Sequence, residues 1–221
     1  MINYHPNNDM LIQHAKGCLS IAMATAVSAH CELCPQCQKS HSEMVQQQAE
    51  HTLISTDPTE SSLDVSIELD DMLTTIMQLK PSTSAVQPLS IETVSIKGFE
   101  FDLPRAFRQQ RKQSWKGFGK IHRMRFENDS PTERASLLHI AAGGEIPEHT
   151  HQGNEITLLL DGYFEDEYNC YGPGDFIILN ANHQHKPKTC DGCLCYTVVD
   201  SPLHFTQGLS KLFNPIGNLI Y

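Results

Sequence analysis

The first 80 residues carry apolar positions at helical spacing, so the N-terminal part of the chain is predicted to be helical. Gly17 is a helix stop and Ser20 an N-cap, which places one short helix before Gly17 and a second helix after Ser20. Pro35 is tolerated in the first turn of a third helix, because the N–H that proline lacks has no partner there. The predicted helices span 7–16, 21–31, 35–51 and 64–79.

In the fourth of these segments the apolar residues recur every three or four positions and are predicted to be buried. They are Val65, Ile67, Leu69, Met72, Leu73, Ile76 and Met77. The neighbouring sequence is acidic: eight Asp and Glu residues and no Lys or Arg lie between Lys39 and Lys80. Such a run is commonly a solvated surface, but it also suits a basic partner protein.

The composition changes near residue 80, where a segment rich in proline and serine, residues 81–90, is predicted to be a linker. From residue 91 onward, short β-rich runs alternate with turn residues, a pattern typical of a β-sandwich or barrel. These runs are 91–96, 120–126, 136–141, 155–160, 176–179 and 194–199. The predicted fold class is therefore α+β, with a helical domain at 1–80, a linker at 81–90 and an all-β domain at 91–221.

The chain has 221 residues and a formal net charge of −10, from 26 acidic and 16 basic side chains. That balance argues against a protein that coats nucleic acid, and no run approaches the roughly 18 apolar residues of a membrane helix. Since the N-terminus shows no signal-peptide pattern, the chain is expected to be soluble and cytoplasmic. Its 12 His and 8 Cys then indicate metal binding or redox chemistry rather than disulfides.

A first candidate metal site lies at the start of the third predicted helix. Cys34 and Cys37 are three residues apart and can both face inward, while His30 ends the preceding helix. Zinc takes four N or S donors in a tetrahedron. His5 is the best candidate for the fourth donor, with Cys31 as a local competitor. A thioredoxin-like redox pair and cysteines without metal are the alternatives, although the βαβ context of the redox motif is missing.

The sequence around this site resembles the zinc-binding anti-sigma domain of the ChrR group. The matching positions are His5-Pro6, Leu11, Ala15, Gly17, Leu19-Ser20, His30, Cys34-Pro35 and Cys37. In that family a small helical domain holds an extracytoplasmic-function sigma factor and blocks its access to RNA polymerase. The resemblance implies that His5, His30, Cys34 and Cys37 bind a structural zinc ion.

A second candidate metal site lies in the β-rich part. The positions that resemble the first cupin motif are Gly143, His149, His151, Glu155 and Gly162. His185, 34 residues after His151, stands where the second cupin motif supplies its histidine. Alternate residues of a strand face the same side, so His149 and His151 can point together into a barrel. Three His and one Glu suit Zn, Fe, Mn or Ni, of which Zn is the expected metal.

The second motif departs from the cupin pattern, since Asn180 and Asn182 stand where that family has proline and glycine. His183 is a rival of His185, because alternation places both on one face if the strand continues. Near the last strand, Cys193 and Cys195 share a face and are either a candidate redox pair or small packing residues.

A helical zinc anti-sigma domain followed by a cupin is the arrangement of the ChrR family, and the resemblance spans most of the chain. It implies a cytoplasmic, non-enzymatic negative regulator that binds a sigma-E-like sigma factor and releases it during oxidative stress such as singlet oxygen. The metal-binding cupin would be the sensor or tuning domain. No direct contact with nucleic acid or membrane is expected. The alternatives are a metal-dependent cupin dioxygenase with a helical dimerisation or regulatory domain, and a structural zinc module that serves as an oligomerisation scaffold.

Overall fold

A computed structural model of the chain describes residues 1–54, 66–80, 91–127, 130 and 132–206. The chain divides into two compact units, Met1–Val45 with Ile91–Tyr221, and Gln46–Ser90. The predicted linker at 81–90 lies outside the described residues. The predicted domains, 1–80 and 91–221, were defined by their type of secondary structure. These domain boundaries stay a prediction.

Among the described residues of the N-terminal part, four helices are present. They are α1 (Asn8–Ala15), α2 (Ile21–Leu33), α3 (Pro35–Ile54) and α4 (Ser66–Gln78). The side chain of Asn7 caps α1 by accepting the N–H of Met10, and Ser20 caps α2 by accepting the N–H of Met23. Gly17 follows α1 with a φ of 68°, the left-handed conformation that ends a helix and that glycine adopts without strain. No helix among the described residues is both long and apolar enough to span a membrane.

The described residues from 91 onward form strands, apart from one short 3-10 helix, Arg105–Phe107. The strands are β1 (Glu92–Ile96), β2 (Phe99–Leu103), β3 (Lys116–Phe118), β4 (Ile121–Arg125), β5 (Arg134–Ala141), β6 (His149–His151), β7 (Glu155–Gly162), β8 (Phe164–Glu165), β9 (Cys170–Tyr171), β10 (Phe176–Leu179), β11 (Gln184–His185), β12 (Gly192–Val199) and β13 (Leu203–Phe205). The largest sheet has the order β10-β7-β12-β5-β4-β3, and a three-stranded sheet has the order β11-β6-β13. The predicted fold class, helices followed by a cupin-type β domain, is confirmed.

Helix α2 packs on the outer face of the six-stranded sheet. Three of its four alanines and Val27 share one apolar core with Phe107 of the 3-10 helix and with alternate apolar residues of β5 and β12. The buried hydroxyl of Tyr196 in β12 donates to the carbonyl of Ala22 in α2 at 3.1 Å. The carboxylate of Glu32 in α2 accepts the first two N–H groups of the 3-10 helix at 2.8 and 2.9 Å. The sheet is therefore part of what stabilises the helical segment.

The opposite face of the same sheet forms a second apolar core, because successive side chains of a strand point to opposite sides. This core contains Ile140, Leu159, Ile177, Cys193 and Cys195. The three-stranded sheet carries three of the predicted metal ligands, the buried His149, His151 and His185.

The prediction for the fourth helix was right in type and wrong in burial. Leu69, Met72, Leu73, Ile76 and Met77 are 50–78% exposed, although they lie on one face of α4 as predicted. Val65 and the side chain of Ile67 lie outside the described residues. Periodicity identifies the apolar face of a helix but does not identify what covers it.

Candidate metal centres

The first predicted site is assembled at the junction of the N-terminal segment, α2 and α3. One donor atom from each of His5, His30, Cys34 and Cys37 lies within 4.8 Å of the other three. His5 Nδ1 is 3.4 Å from His30 Nε2, 3.5 Å from Cys34 Sγ and 3.4 Å from Cys37 Sγ. The donors of one tetrahedral zinc, with bonds of about 2.0 Å to N and 2.3 Å to S, lie about 3.3–3.8 Å apart. These side chains therefore fit one zinc ion.

The protonation states of this cluster also fit a metal. His30 Nδ1 donates to the carbonyl of Gly174 at 2.8 Å, which leaves the lone pair of Nε2 directed at the cluster. Burial lowers the pKa of His30 to about 4, so this ring stays neutral at physiological pH. Burial and the neighbouring Cys34 raise the pKa of Cys37 to about 12, so the buried thiolate needs a cation beside it.

The second predicted site is formed by residues of the three-stranded sheet and of the six-stranded sheet. His149 and His151 alternate on β6, His185 lies opposite them on β11, and Glu155 begins β7 in the six-stranded sheet. The Nε2 atom of His185 is 3.0 Å from that of His149 and 3.2 Å from that of His151. Glu155 Oε2 is 3.0 Å from His151 Nδ1, yet that nitrogen makes no hydrogen bond. Four buried donors that converge at these distances are the arrangement of ligands around a single cation.

Three further groups orient these ligands. His149 Nδ1 donates to the carbonyl of Pro147 at 2.8 Å, and His185 Nδ1 donates to Asp166 Oδ2 at 3.1 Å. Both rings thereby direct Nε2 into the cluster. The hydroxyl of Thr157 donates to Glu155 Oε1 at 2.9 Å, which leaves the other carboxylate oxygen for the metal.

Burial keeps two histidines of this cluster, His149 and His151, neutral. Burial lowers the pKa of His149 to about 4, and burial together with the nearby His185 ring lowers that of His151 to about 4. Burial alone would raise the pKa of Asp166, but the hydrogen bond from His185 and backbone N–H groups lower it, so it stays a carboxylate. Neutral imidazoles beside two carboxylates are ready to bind a divalent cation without first losing a proton from His149 or His151.

The rival ligands are placed elsewhere. His183 Nδ1 accepts the N–H of Asn180 at 3.1 Å, so it belongs to a turn and is not a member of the cluster. Cys31 is buried, yet it is not one of the four converging donors of the first site. Cys193 and Cys195 are buried free thiols, and the neighbouring Cys193 together with burial raises the pKa of Cys195 well above its usual value. Their redox role stays a prediction.

A cavity of about 370 Å³ adjoins the second cluster. His149, Glu155 and His185 lie at its wall, and Cys195 is among the other residues that line it. Its apolar lining comes mainly from Leu138, Ile140, Ile146, Phe164, Ile177 and Leu179. The metal ligands thus face a space large enough for a small molecule.

Asp166 and Gly174 were not predicted from the sequence. Asp166 opens a turn in which it accepts the N–H groups of Tyr168 and Asn169, a local signal for a turn. Nothing local shows that the same carboxylate reaches His185, 19 residues away. The carbonyl of Gly174 lies 144 residues from His30 in sequence and carries no side-chain signal at all.

Comparison with known proteins identifies the relatives of this arrangement. Residues 106–202 match the family described as the ChrR cupin-like domain. The chain is 29% identical over 216 residues to anti-sigma-E factor ChrR of Cereibacter sphaeroides, an alignment that covers 97% of each protein. The resemblance to the ChrR group is confirmed. The crystal structure of Rhodobacter sphaeroides SigE in complex with the anti-sigma ChrR matches with a TM-score of 0.66 and 23% identity, covering 90% of this chain and 100% of that one.

The structural match supports the fold from the helical segment through the cupin. The family model, over residues 106–202, includes all four donors of the second cluster. ChrR is by name an anti-sigma factor. The similarity therefore directs attention to a protein partner rather than to a substrate.

Proposed function

We propose that this protein is a negative regulator of transcription that sequesters an extracytoplasmic-function, sigma-E-like sigma factor in the cytoplasm. The observation that carries the proposal is the end-to-end similarity to anti-sigma-E factor ChrR, in a chain whose two His-containing clusters are both assembled. The partner is a protein, and no direct contact with nucleic acid or membrane is part of the proposal.

Helix α4 offers a surface that fits such a partner. Its apolar face, Leu69, Met72, Leu73, Ile76 and Met77, is exposed, and contiguous exposed apolar patches are typical of protein interfaces. The same helix carries the exposed carboxylates of Asp70 and Asp71. Sigma factors present basic surfaces to promoter DNA, so an apolar stripe with an acidic rim can occupy them and accelerate encounter.

Metal binding has a different role in each cluster of the proposal. Zinc at His5, His30, Cys34 and Cys37 would join helices that are too short to be stable alone. Zinc, rather than Fe, Mn or Ni, would occupy His149, His151, Glu155 and His185 and supply a Lewis-acidic centre beside the cavity. The cupin would then be the sensor that releases the sigma factor under oxidative stress such as singlet oxygen, with Cys193 and Cys195 as redox-sensitive neighbours.

The proposal is tested by purifying the full chain from its native cell with its bound partners and measuring the metal content of the same preparation. We expect a small sigma factor in stoichiometric amount and about two zinc ions per chain. A preparation without a sigma factor that contains iron and consumes O₂ with a small organic substrate would instead support the cupin dioxygenase.

The dependence on zinc is tested with Cys34→Ala. Losing one donor of the buried cluster should release the metal, unfold the first three helices and abolish sigma binding. Cys18→Ala is the matched control, because Cys18 is exposed and lies outside the cluster. Tight sigma binding by a zinc-free Cys34→Ala protein would contradict the structural role of the metal.

The role of α4 is tested with Leu73→Ala. Leu73 is 57% exposed, and the substitution removes most of its apolar side chain from the proposed interface. A central interface leucine is expected to contribute more than about 1.4 kcal/mol, so the sigma factor should bind at least about tenfold more weakly. Thr74→Ala truncates the exposed neighbour by a similar amount and should leave the affinity unchanged. Equal affinities of the two variants would remove α4 from the interface.

A further inference from the structure

The chain before α1 is bound to the loop that precedes β10 in the cupin. The N–H groups of Asn3 and Tyr4 donate to Asp175 Oδ1 at 2.7 and 3.1 Å. In return, the N–H of Phe176 donates to the carbonyl of Tyr4 at 3.0 Å. The next residue after Tyr4 is His5, so the backbone that carries one donor of the first cluster is held by the cupin.

Asp175 is buried, and both of its carboxylate oxygens accept hydrogen bonds. It is only 2% exposed, and its second oxygen accepts the N–H of Gly172 at 2.8 Å. A buried carboxylate is tolerated only when its oxygens are hydrogen-bonded, and here the three bonds from Asn3, Tyr4 and Gly172 all come from backbone N–H groups. Two of those bonds join parts of the chain more than 170 residues apart.

Gly174 holds a second donor of the same cluster. Its carbonyl accepts the Nδ1–H of His30 at 2.8 Å and so fixes the ring that directs Nε2 at the cluster. Its φ of 92° is a left-handed conformation that favours glycine, and a Cβ there would overlap the side chain of Ile2. The ring of Phe176 lies edge-on to His30, with centroids 5.6 Å apart.

We propose that the cupin loop Gly172–Phe176 positions the ligands of the N-terminal metal site, with Asp175 as the positioning residue. The loop orients His5 through the backbone of Asn3 and Tyr4, and it orients His30 through the carbonyl of Gly174. The cupin thereby sets how long the N-terminal metal stays bound. This inference rests on the proposed function and its metal site in the anti-sigma region. It adds that residues of the cupin hold two of the ligands of that site in place.

The test uses the full-length protein loaded with Co²⁺. Absorption from thiolate-to-cobalt charge transfer reports the N-terminal cluster alone, since the cupin cluster has no sulfur donor. Asp175→Asn keeps one acceptor oxygen but places an amide N–H₂ against a backbone N–H. Loss of an outer hydrogen-bond partner commonly weakens metal binding about 10- to 100-fold, so cobalt should leave for a chelator at least about tenfold faster. Asp191→Asn, the same change at an exposed acid, should lose cobalt at the wild-type rate.

A second variant keeps the test decisive if Asp175→Asn does not fold. Asn3→Pro removes one N–H donor to Asp175 and leaves the cupin sequence untouched. Faster cobalt loss in this variant, with faster hydrogen exchange at the amide of Tyr4, is the expected result. A purely structural Asp175 would lower the melting temperature without changing the rate of cobalt loss measured well below melting.

The outcomes separate this inference from the function on which it rests. If the wild-type protein shows no thiolate–cobalt absorption, the N-terminal metal site itself is wrong. If wild type shows the absorption and binds the sigma factor, but both variants release cobalt at the wild-type rate, only the positioning role is overturned.

Discussion

The contact between α2 and the six-stranded sheet predicts a specific loss of stability in Tyr196→Phe. Tyr196 is fully buried, and its ring packs on Phe107 and Phe126 with centroids 4.9 and 5.5 Å apart. Burial raises the pKa of Tyr196, so its hydroxyl stays protonated and donates to the carbonyl of Ala22 at 3.1 Å. The substitution removes this hydroxyl and leaves the apolar ring in place.

The magnitude follows from the contact that is lost. One buried hydrogen bond contributes about 1 kcal/mol net to the free energy of unfolding. In a chain of 150–250 residues, 1 kcal/mol lowers the melting temperature by about 2–4 °C. Tyr196→Ala removes the ring as well and should cost about 3–5 kcal/mol, as for other large buried aromatic side chains.

The assay is urea unfolding of the metal-loaded protein, with fluorescence and far-UV circular dichroism recorded together. Tyr163→Phe is the matched control, because Tyr163 is 61% exposed and the same change should stay within about 0.5 kcal/mol. If Tyr196→Phe and Tyr163→Phe unfold at the same urea concentration as wild type, the buried hydrogen bond between α2 and the sheet is refuted.

Two further predictions concern the cupin cluster and pH. His185→Ala should lower the zinc content from about two ions per chain to about one, with the thiolate–cobalt absorption retained; loss of both ions would contradict independent sites. His14 Nδ1 lies 2.7 Å from His41 Nε2, and burial lowers the pKa of both rings. Because the unfolded chain then binds more protons, stability should fall as the pH drops below about 6.5, the ordinary histidine pKa. Thermal melts at about pH 7.5 and about pH 5.5 should show a smaller loss in His14→Gln than in wild type.

The two metal clusters could be predicted because most of their donors are close in sequence. Cys34 and Cys37 are separated by three positions, and His149 and His151 alternate along one strand, so local geometry alone brings each pair together. His5 is different: its place beside His30 depends on contacts with Asp175, far away in sequence. His5 was the best candidate for the fourth donor because it stands just before the first helix, and the family resemblance implied the same residue.

The helices and strands could be predicted where amphipathic or β-rich patterns were long enough. The way these elements pack on one another could not be predicted. Strand β6 has only three residues, and β11 has only two, so neither gives a pattern from which a strand can be predicted. The burial of seven residues of α2 follows from its position on the sheet, a contact that depends on residues more than 100 positions away. The exposed face of α4 shows the same limit, because its apolar pattern suits a partner molecule as well as a core.

Zinc-dependent inhibition of transcription is the central claim, and reconstituted transcription from a sigma-dependent promoter tests it most directly. One equivalent of the zinc-loaded protein should abolish the transcript made by RNA polymerase with its sigma-E-like sigma factor. The same amount of Cys34→Ala protein should leave the transcript intact. Undiminished transcription in the presence of excess zinc-loaded protein would contradict the account.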